Sequence, residues 1–532
     1  MKKRIFAILS VLMALSIALM GCGTEKTGGG KNGEGNSGGT LIYARGGDSV
    51  KLDPASITDG ESFIVTEQIT ETLVEYKKDS TEIIPNLAKE WKISDDGLVY
   101  TFDLEKGIKF HDGSDFNAEA VVKNFKRWMS GHEKIFPYFA SQFGGFEGDE
   151  GAVIKEVKAL DEFTVEFTLN RPQAPFLKNL AMSPFAISSP TAIEKDVNKY
   201  FQHPVGTGPF KFESWKRNDT ITVVKNDKYW KKGLPKLDKV IFKVIEDNSA
   251  RLNTLIKGDV DLIDGLNPSD VVRVAAEKKL QIFERPSMNV GYLGFNVEKE
   301  PFNNKLVRQA LNHAVDKEAI IKNFYEGTAE PAKNPMPPSV SGYNDEIQDY
   351  EYDLDKAKEL LAEAGYADGF KMDLWAMPVP RPYMPNGRKV AEALQADFAK
   401  IGVEVNIVSM EWGTYLEKTR DGEAPMFMLG WTGDNGDADN FLYVLLDKDA
   451  IGSNNYTRYS NDEVHDLLIK AQTEIDEEKR NQLYNEAQKI IHEDAPWIPL
   501  AHSVPQLAGI KEIKGFVPHP TGSQSFVDVS VK

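Results

Sequence analysis

Apolar and polar positions recur with two different periods along the chain. Tyr100, Phe102 and Leu104 alternate with Thr101 and Asp103, the two-residue period of a strand with one buried face. Short runs rich in β-branched and aromatic residues predict further strands over 41–45, 164–169, 220–224, 240–245, 403–408 and 426–431. Between them the period changes to that of a helix. Residues 355–364 place Ala357, Leu360, Leu361 and Ala364 on one face, with Gly365 as the stop. Residues 390–401 do the same with Leu394, Phe398 and Ile401 before Gly402, and 304–313 with Leu306, Val307, Ala310 and Leu311. Strand-like and helix-like segments interleaved in this way predict an α/β architecture. No internal repeat of fixed short period interrupts the pattern.

The N-terminus departs from this pattern. Lys2, Lys3 and Arg4 precede an apolar stretch, 5–20, broken only by Ser10 and Ser16. Its length and one-sided charge favour a signal peptide over a membrane span. The stretch ends in Leu19-Met20-Gly21-Cys22, similar to a bacterial lipoprotein signal. Residues 1–21 are therefore expected to be removed and Cys22 to be lipidated. Residues 22–39 are Gly-rich and read as a flexible tether. A formal G-x-S-x-G match at Gly35–Gly39 lies in that tether. It lacks the strand and helix that a nucleophile elbow requires.

Composition narrows the function. Cys22 is the only cysteine, so the folded part carries no disulfide, no cysteine nucleophile and no thiolate metal site. The formal charge is −18, and three units more negative without Lys2, Lys3 and Arg4, which argues against nucleic-acid binding. The eight histidines form no H-E-x-x-H motif or close pair. There is no P-loop and no dinucleotide fingerprint, so no cofactor is expected.

A succession of motifs then carries a resemblance. Pro85-Asn86-Leu87-Ala88-Lys89-Glu90-Trp91 leads into 94–102 and then Leu104-Glu105-Lys106-Gly107-Ile108-Lys109-Phe110-His111-Asp112-Gly113. Pro204–Phe210, Gly291–Asn296 with Pro301-Phe302, Val307–Leu311 and Glu493–Leu500 come next, in that order. Together they resemble the peptide/nickel family of extracellular solute-binding proteins, which serve ABC importers. The resemblance implies a periplasmic-binding-protein type II-like fold, two lobes joined by hinge segments with an extra inserted domain. Placed on this chain, lobe I takes 40–82, 205–286 and 502–532, the inserted domain 83–204 and lobe II 287–501. It further implies a monomer that works with ABC permease and ATPase subunits, held at the membrane by the lipid on Cys22. The chain would then be a binding protein and not an enzyme.

Two segments resemble the dipeptide-binding branch: Trp375–Tyr383 and Gly430–Asp437. The resemblance implies that Arg381 holds the carboxylate of a dipeptide or short peptide and Asp434 its α-ammonium. Trp431, Thr432 and Gly433 would supply a strand edge and Tyr383 a ring or hydroxyl, while Thr58, Asp59 and Gly60 align with a loop facing the ligand. The chemistry suits these types. Arginine offers a planar fork to a carboxylate, and aspartate accepts from an ammonium. Two fixed charges would act as a ruler for peptide length. Taken without the resemblance, Arg381 between two prolines reads as a solvated charge and Asp434 as part of a Gly/Asn/Asp turn. Oligopeptides, glutathione, haem and nickel complexes are alternative ligands within the family, and a secreted peptidase is the alternative outside it.

Overall fold

The computed structural model describes residues 38–532. The signal peptide, Cys22 and nearly all of the tether lie outside these residues. Three larger sheets organise the described chain. The first has seven strands, in the order Leu280–Glu284, Gln506–Ile510, Leu262–Ile263, Thr40–Arg45, Lys239–Val244, Thr220–Lys225 and Phe210–Lys216. Its central strand, Thr40–Arg45, runs parallel to both neighbours. Leu41 and Tyr43 pack into one apolar cluster, and Ile42 and Ala44 into another on the opposite face. Burial on both faces accounts for the unbroken apolar run there.

The second sheet is antiparallel and has four strands: Ala88–Ile93, Val99–Leu104, Thr164–Leu169 and Ile154–Asp161. Tyr100, Phe102 and Leu104 face inward as their alternation requires, beside Val165, Phe167 and Leu169. The amphipathic helix Ala118–Met129 covers that face through Val121, Phe125 and Trp128. Phe125 and Phe167 meet edge to face, with ring centroids 4.7 Å apart.

The third sheet orders six strands as Ala329–Pro331, Trp497–Ser503, Asn289–Phe295, Met426–Thr432, Lys371–Trp375 and Glu404–Val408. Asn289–Phe295 is buried along its whole length. Helices Lys305–His313, Leu354–Glu363 and Gly387–Ala399 bury their apolar stripes against the same core. Each starts at a side-chain cap: Asn304, Asp353 and Asn386 accept from backbone N–H groups of the first turn. The last of these helices begins three residues before the apolar period predicts, at Gly387, because its first turn, Gly387-Arg388-Lys389, carries no apolar signal. It also ends two residues sooner, leaving Ile401 in the turn that precedes Gly402. No helix among the described residues is long and apolar enough to cross a membrane.

Candidate ligand-binding site

Arg381, Tyr383 and 431–434 lie on or beside one edge of the third sheet, while Thr58, Asp59 and Gly60 stand at the start of helix Gly60–Thr66. Met426–Thr432 pairs with Asn289–Phe295 along its full length. On its other side it pairs with Lys371–Trp375 only at Met426 and Phe427. Beyond that point the Tyr415 hydroxyl satisfies Met428, accepting from its N–H at 3.2 Å and donating to its carbonyl at 2.7 Å. Strand backbone groups alternate in direction with a period of two. Those of Gly430 and Thr432 therefore point the same way as those of Met428, along an edge with no strand partner among the described residues.

The Arg381 segment lies beside this edge. Arg381 and Met384 exchange backbone hydrogen bonds of 3.1 and 2.9 Å, closing a tight turn over Pro382 and Tyr383. The turn rests on Gly291 and Gly430, which face each other in the strand register. A Cβ on Gly430 would overlap the Tyr383 ring, and one on Gly291 the Tyr383 carbonyl. That carbonyl also accepts from the Tyr325 hydroxyl at 2.8 Å. Burial pushes the Tyr383 hydroxyl up to about 12. Arg381 itself is exposed, its guanidinium 5.6 Å from the centre of the Trp412 ring. It makes no ion pair within the described residues.

The other end of the site is the loop after Thr432. Gly433 N–H donates to the Met288 carbonyl at 2.8 Å, keeping the loop in line with the strand. Asn440 braces the loop on both sides of Gly433. Its Oδ1 accepts from the Asp434 N–H at 2.9 Å and from the Trp431 indole at 3.0 Å, and its Nδ2 donates to Asp434 Oδ2 at 3.1 Å. The Tyr138 hydroxyl donates to Asp434 Oδ1 at 3.3 Å. Burial raises the Asp434 carboxyl to about 6, against which Asn440 and Tyr138 supply only neutral donors. Three residues on, Asp437 is also buried, but Arg480 at 2.8 Å and Lys178 at 3.6 Å more than offset the burial and hold its carboxyl low. No lysine or arginine among the described residues stands within ion-pair distance of Asp434.

Asp434 lines a cavity of 160 Å³ together with Gly60, Phe63 and Tyr138. Asp59 precedes Gly60 and caps the helix Gly60–Thr66, accepting from Ser62 N–H at 2.8 Å. Thr58 is exposed. The structure thus brings Gly60 to the Asp434 cavity and gives Asp59 a capping task. Sequence motifs point to neither Tyr138 nor Asn440. Tyr138 stands 296 residues from its partner, so no local pattern could announce it.

The Asp434 loop also meets helix Phe176–Leu180, and the chain just before that helix meets Gln472. Lys178 Nζ donates to the Gly436 carbonyl at 2.8 Å, Asn435 Nδ2 to Asn179 Oδ1 at 2.8 Å and Ala174 N–H to the Gln472 carbonyl at 2.8 Å. Away from this site, Asp447, Asp449 and His465 each bring one ligand atom to within 4.8 Å of the others, a geometry that could hold a metal ion. His465 Nδ1 lies 3.0 Å from Asp447 Oδ2.

The strand edge thus has a cation, Arg381, on the turn beside it and a carboxylate without a cationic partner, Asp434, in the loop that follows it. The sequence model of bacterial extracellular solute-binding proteins, family 5 Middle, matches residues 82–453. The chain belongs to this family. It is a family of solute-binding proteins that lie outside the cytoplasm. The chain is 41% identical to the dipeptide-binding protein of Escherichia coli over 510 residues, 93% of this chain and 95% of that one. It is 42% identical to heme-binding protein A of Haemophilus influenzae over 516 residues, 93% of each. Its fold superposes with a TM-score of 0.80 on the ABC transporter-associated periplasmic binding protein DppA of Helicobacter pylori in complex with the peptide STSA. Identity there is 39%, covering 93% of this chain and 98% of that one. The two-lobed type II binding-protein architecture expected from the motifs is thereby established.

Proposed function

We propose that this solute-binding protein is the lipid-anchored receptor of an ABC importer and that its ligand is a dipeptide held between the lobes. The observation that carries the reading is Asp434, a carboxylate enclosed with neutral partners while its neighbour Asp437 has two cations. Enclosing a carboxylate without a countercharge is costly. The α-ammonium of a peptide supplies that countercharge. Arg381 receives the peptide's carboxylate in a bidentate fork. Between them the backbone groups of Gly430 and Thr432 add the peptide to the free strand edge, with Trp431, Gly433 and Tyr383 as walls. Gly430 and Asp434 are at most about 13 Å apart at ~3.3 Å per residue. Two extended peptide residues, at ~3.3 Å each, fall within that limit. From the first lobe, Gly60 closes the pocket, while Thr58 and Asp59 shape the loop behind it.

In this reading lobe I comprises 40–82, 205–286 and 502–532, the inserted domain 83–204 and lobe II 287–501; each of the three larger sheets draws on one of these, save that the strand Trp497–Ser503 of the third runs two residues past 501. Residues 1–21 are the signal peptide, Cys22 carries the lipid, and the monomer delivers peptide to separate permease and ATPase subunits.

Calorimetry of the chain from Cys22 onward, with Cys22→Ser, tests the reading against Ala-Ala, N-acetylated Ala-Ala, tri- and tetrapeptides and haem. The expected result is dipeptide binding that is lost on acetylation and in Asp434→Ala, and weakened in Arg381→Ala. Equal binding of acetylated or longer peptides, or binding of haem alone, overturns the two-ended clamp. Free alanine released from Ala-Ala during incubation would favour the peptidase alternative.

A further inference from the structure

Beside the cavity that Asp434 lines is a larger one of 480 Å³. The two share walls at Glu67, Tyr76, Ala181, Ser183 and Ser523. The larger volume falls within the ~300–1,000 Å³ of small-molecule pockets, and the smaller falls short of it. The larger chamber is acidic. Glu67, Glu71, Glu75 and Asp528 line it, against Lys78, Lys231 and His519.

Three of the four acids are occupied. Glu71 accepts from the Tyr229 hydroxyl at 2.7 Å, the Thr207 hydroxyl at 2.8 Å and the Trp230 indole at 3.0 Å. Glu75 pairs with Lys231 at 3.1 Å, and Asp528 pairs with Lys78. Glu67 differs. It stands at the C-terminal cap of helix Gly60–Thr66, half-buried, on the wall common to both cavities. Its Oε1 accepts from the Ser183 hydroxyl and its Oε2 from Gln524 N–H at 3.2 Å. Each oxygen keeps acceptor capacity to spare. No lysine or arginine among the described residues lies within ion-pair distance of it, and burial raises its pKa against neutral donors alone.

We propose that Glu67 and the chamber behind it form a specificity pocket for a cationic side chain, lysine or arginine, on the N-terminal residue of the bound peptide. The inference rests on the Asp434 reading, because the residue whose ammonium meets Asp434 is the one whose side chain stands at the Glu67 wall. Tyr76 and Ala181 offer the apolar surface along which a lysine or arginine stem lies while its head group meets the carboxylate. The two chamber lysines do not compete for Glu67, since each already has its own acid.

The test is calorimetry of the wild type and Glu67→Gln with Lys-Ala, Ala-Lys and Ala-Ala. In the wild type Lys-Ala should bind about tenfold or more tighter than Ala-Ala, as a hydrogen bond to a charged partner implies. Ala-Lys should gain no such advantage, and in Glu67→Gln the ratio of Lys-Ala to Ala-Ala should collapse towards one. A ratio near one in the wild type, a ratio kept in Glu67→Gln, or an equal gain for Ala-Lys overturns the pocket while leaving the dipeptide reading intact. If neither Ala-Ala nor Lys-Ala binds the wild type, the dipeptide reading itself falls and the pocket with it.

Discussion

Asp434, half-buried, and Asp437, fully buried, share a loop, yet their carboxyls titrate in opposite directions because only Asp437 has cations beside it. The difference has a measurable pH signature. A carboxyl raised from 3.8 to about 6 binds a proton more readily in the folded than in the unfolded chain. Ligand-free stability therefore falls as pH rises from about 4 to 6 and stays low above that, by about 1–3 kcal/mol for a half-buried group. Asp434→Asn should recover this difference, and its melting temperature without ligand should exceed the wild type's at pH 7.5 by clearly more than at pH 4.5. Ligand binding has the reverse slope, since the ammonium needs the ionised carboxylate. Dipeptide affinity should decline about tenfold per pH unit below about 6, and again above the peptide amine's pKa of about 8. A flat affinity profile between pH 5 and 7 would remove Asp434 from the ammonium site. Asp434 was legible in the sequence as a family position; its enclosure was not, because Tyr138 and Asn440 reach it through the fold.

The strand Met426–Thr432 and the turn at Arg381–Met384 work as one element pair. Their fit depends on Gly291 and Gly430, where side chains would strike the turn. Gly430→Ala should push the turn off the sheet, costing about 1–3 kcal/mol of stability as an overpacked contact. It should weaken dipeptide binding at least tenfold, because Arg381 and Tyr383 move together, while far-UV dichroism stays unchanged. Wild-type affinity in that variant would mean that the turn does not position the ligand. Elements of this kind were legible to different degrees. Strands 100–104 and 164–169 are readable from period-two alternation, the strand Met426–Thr432 only from its unbroken apolar and aromatic run, and the capped helices from their stripes, two of them with glycine stops. The free edge at Gly430 and Thr432 was not visible as such. Whether a strand is bordered on one side depends on where its neighbour stops, here at Trp375, and no pattern within Met426–Thr432 records that. Asp59 illustrates the same limit, since a family loop position proves to be a helix cap.

At the scale of the whole molecule, the contacts between the Asp434 loop and the segment carrying Lys178 and Asn179 belong to one arrangement of the lobes. In the proposed mechanism hydrogen bonds such as Asn435 to Asn179, at 2.8 Å, form as the cleft shuts. A ligand shifts an open–closed equilibrium by the difference of its affinities for the two states. In the proposed site Asp434 and the free edge meet the ligand, whereas Asn179 joins Asn435 to Gln142 of its own domain, so mutation separates capture from closure. Asn179→Ala should leave the chemistry of the ligand contacts intact but make closure less favourable by about 1 kcal/mol, the net worth of a hydrogen bond. Dipeptide affinity should then drop about fivefold, mainly through faster release, with the same selectivity for free over acetylated peptide. Scattering of the peptide-saturated variant should still report the compact form, since excess ligand restores the closed population. Loss of selectivity would place Asn179 in the ligand site instead, and unchanged affinity would mean that the lobes close without drawing on this contact.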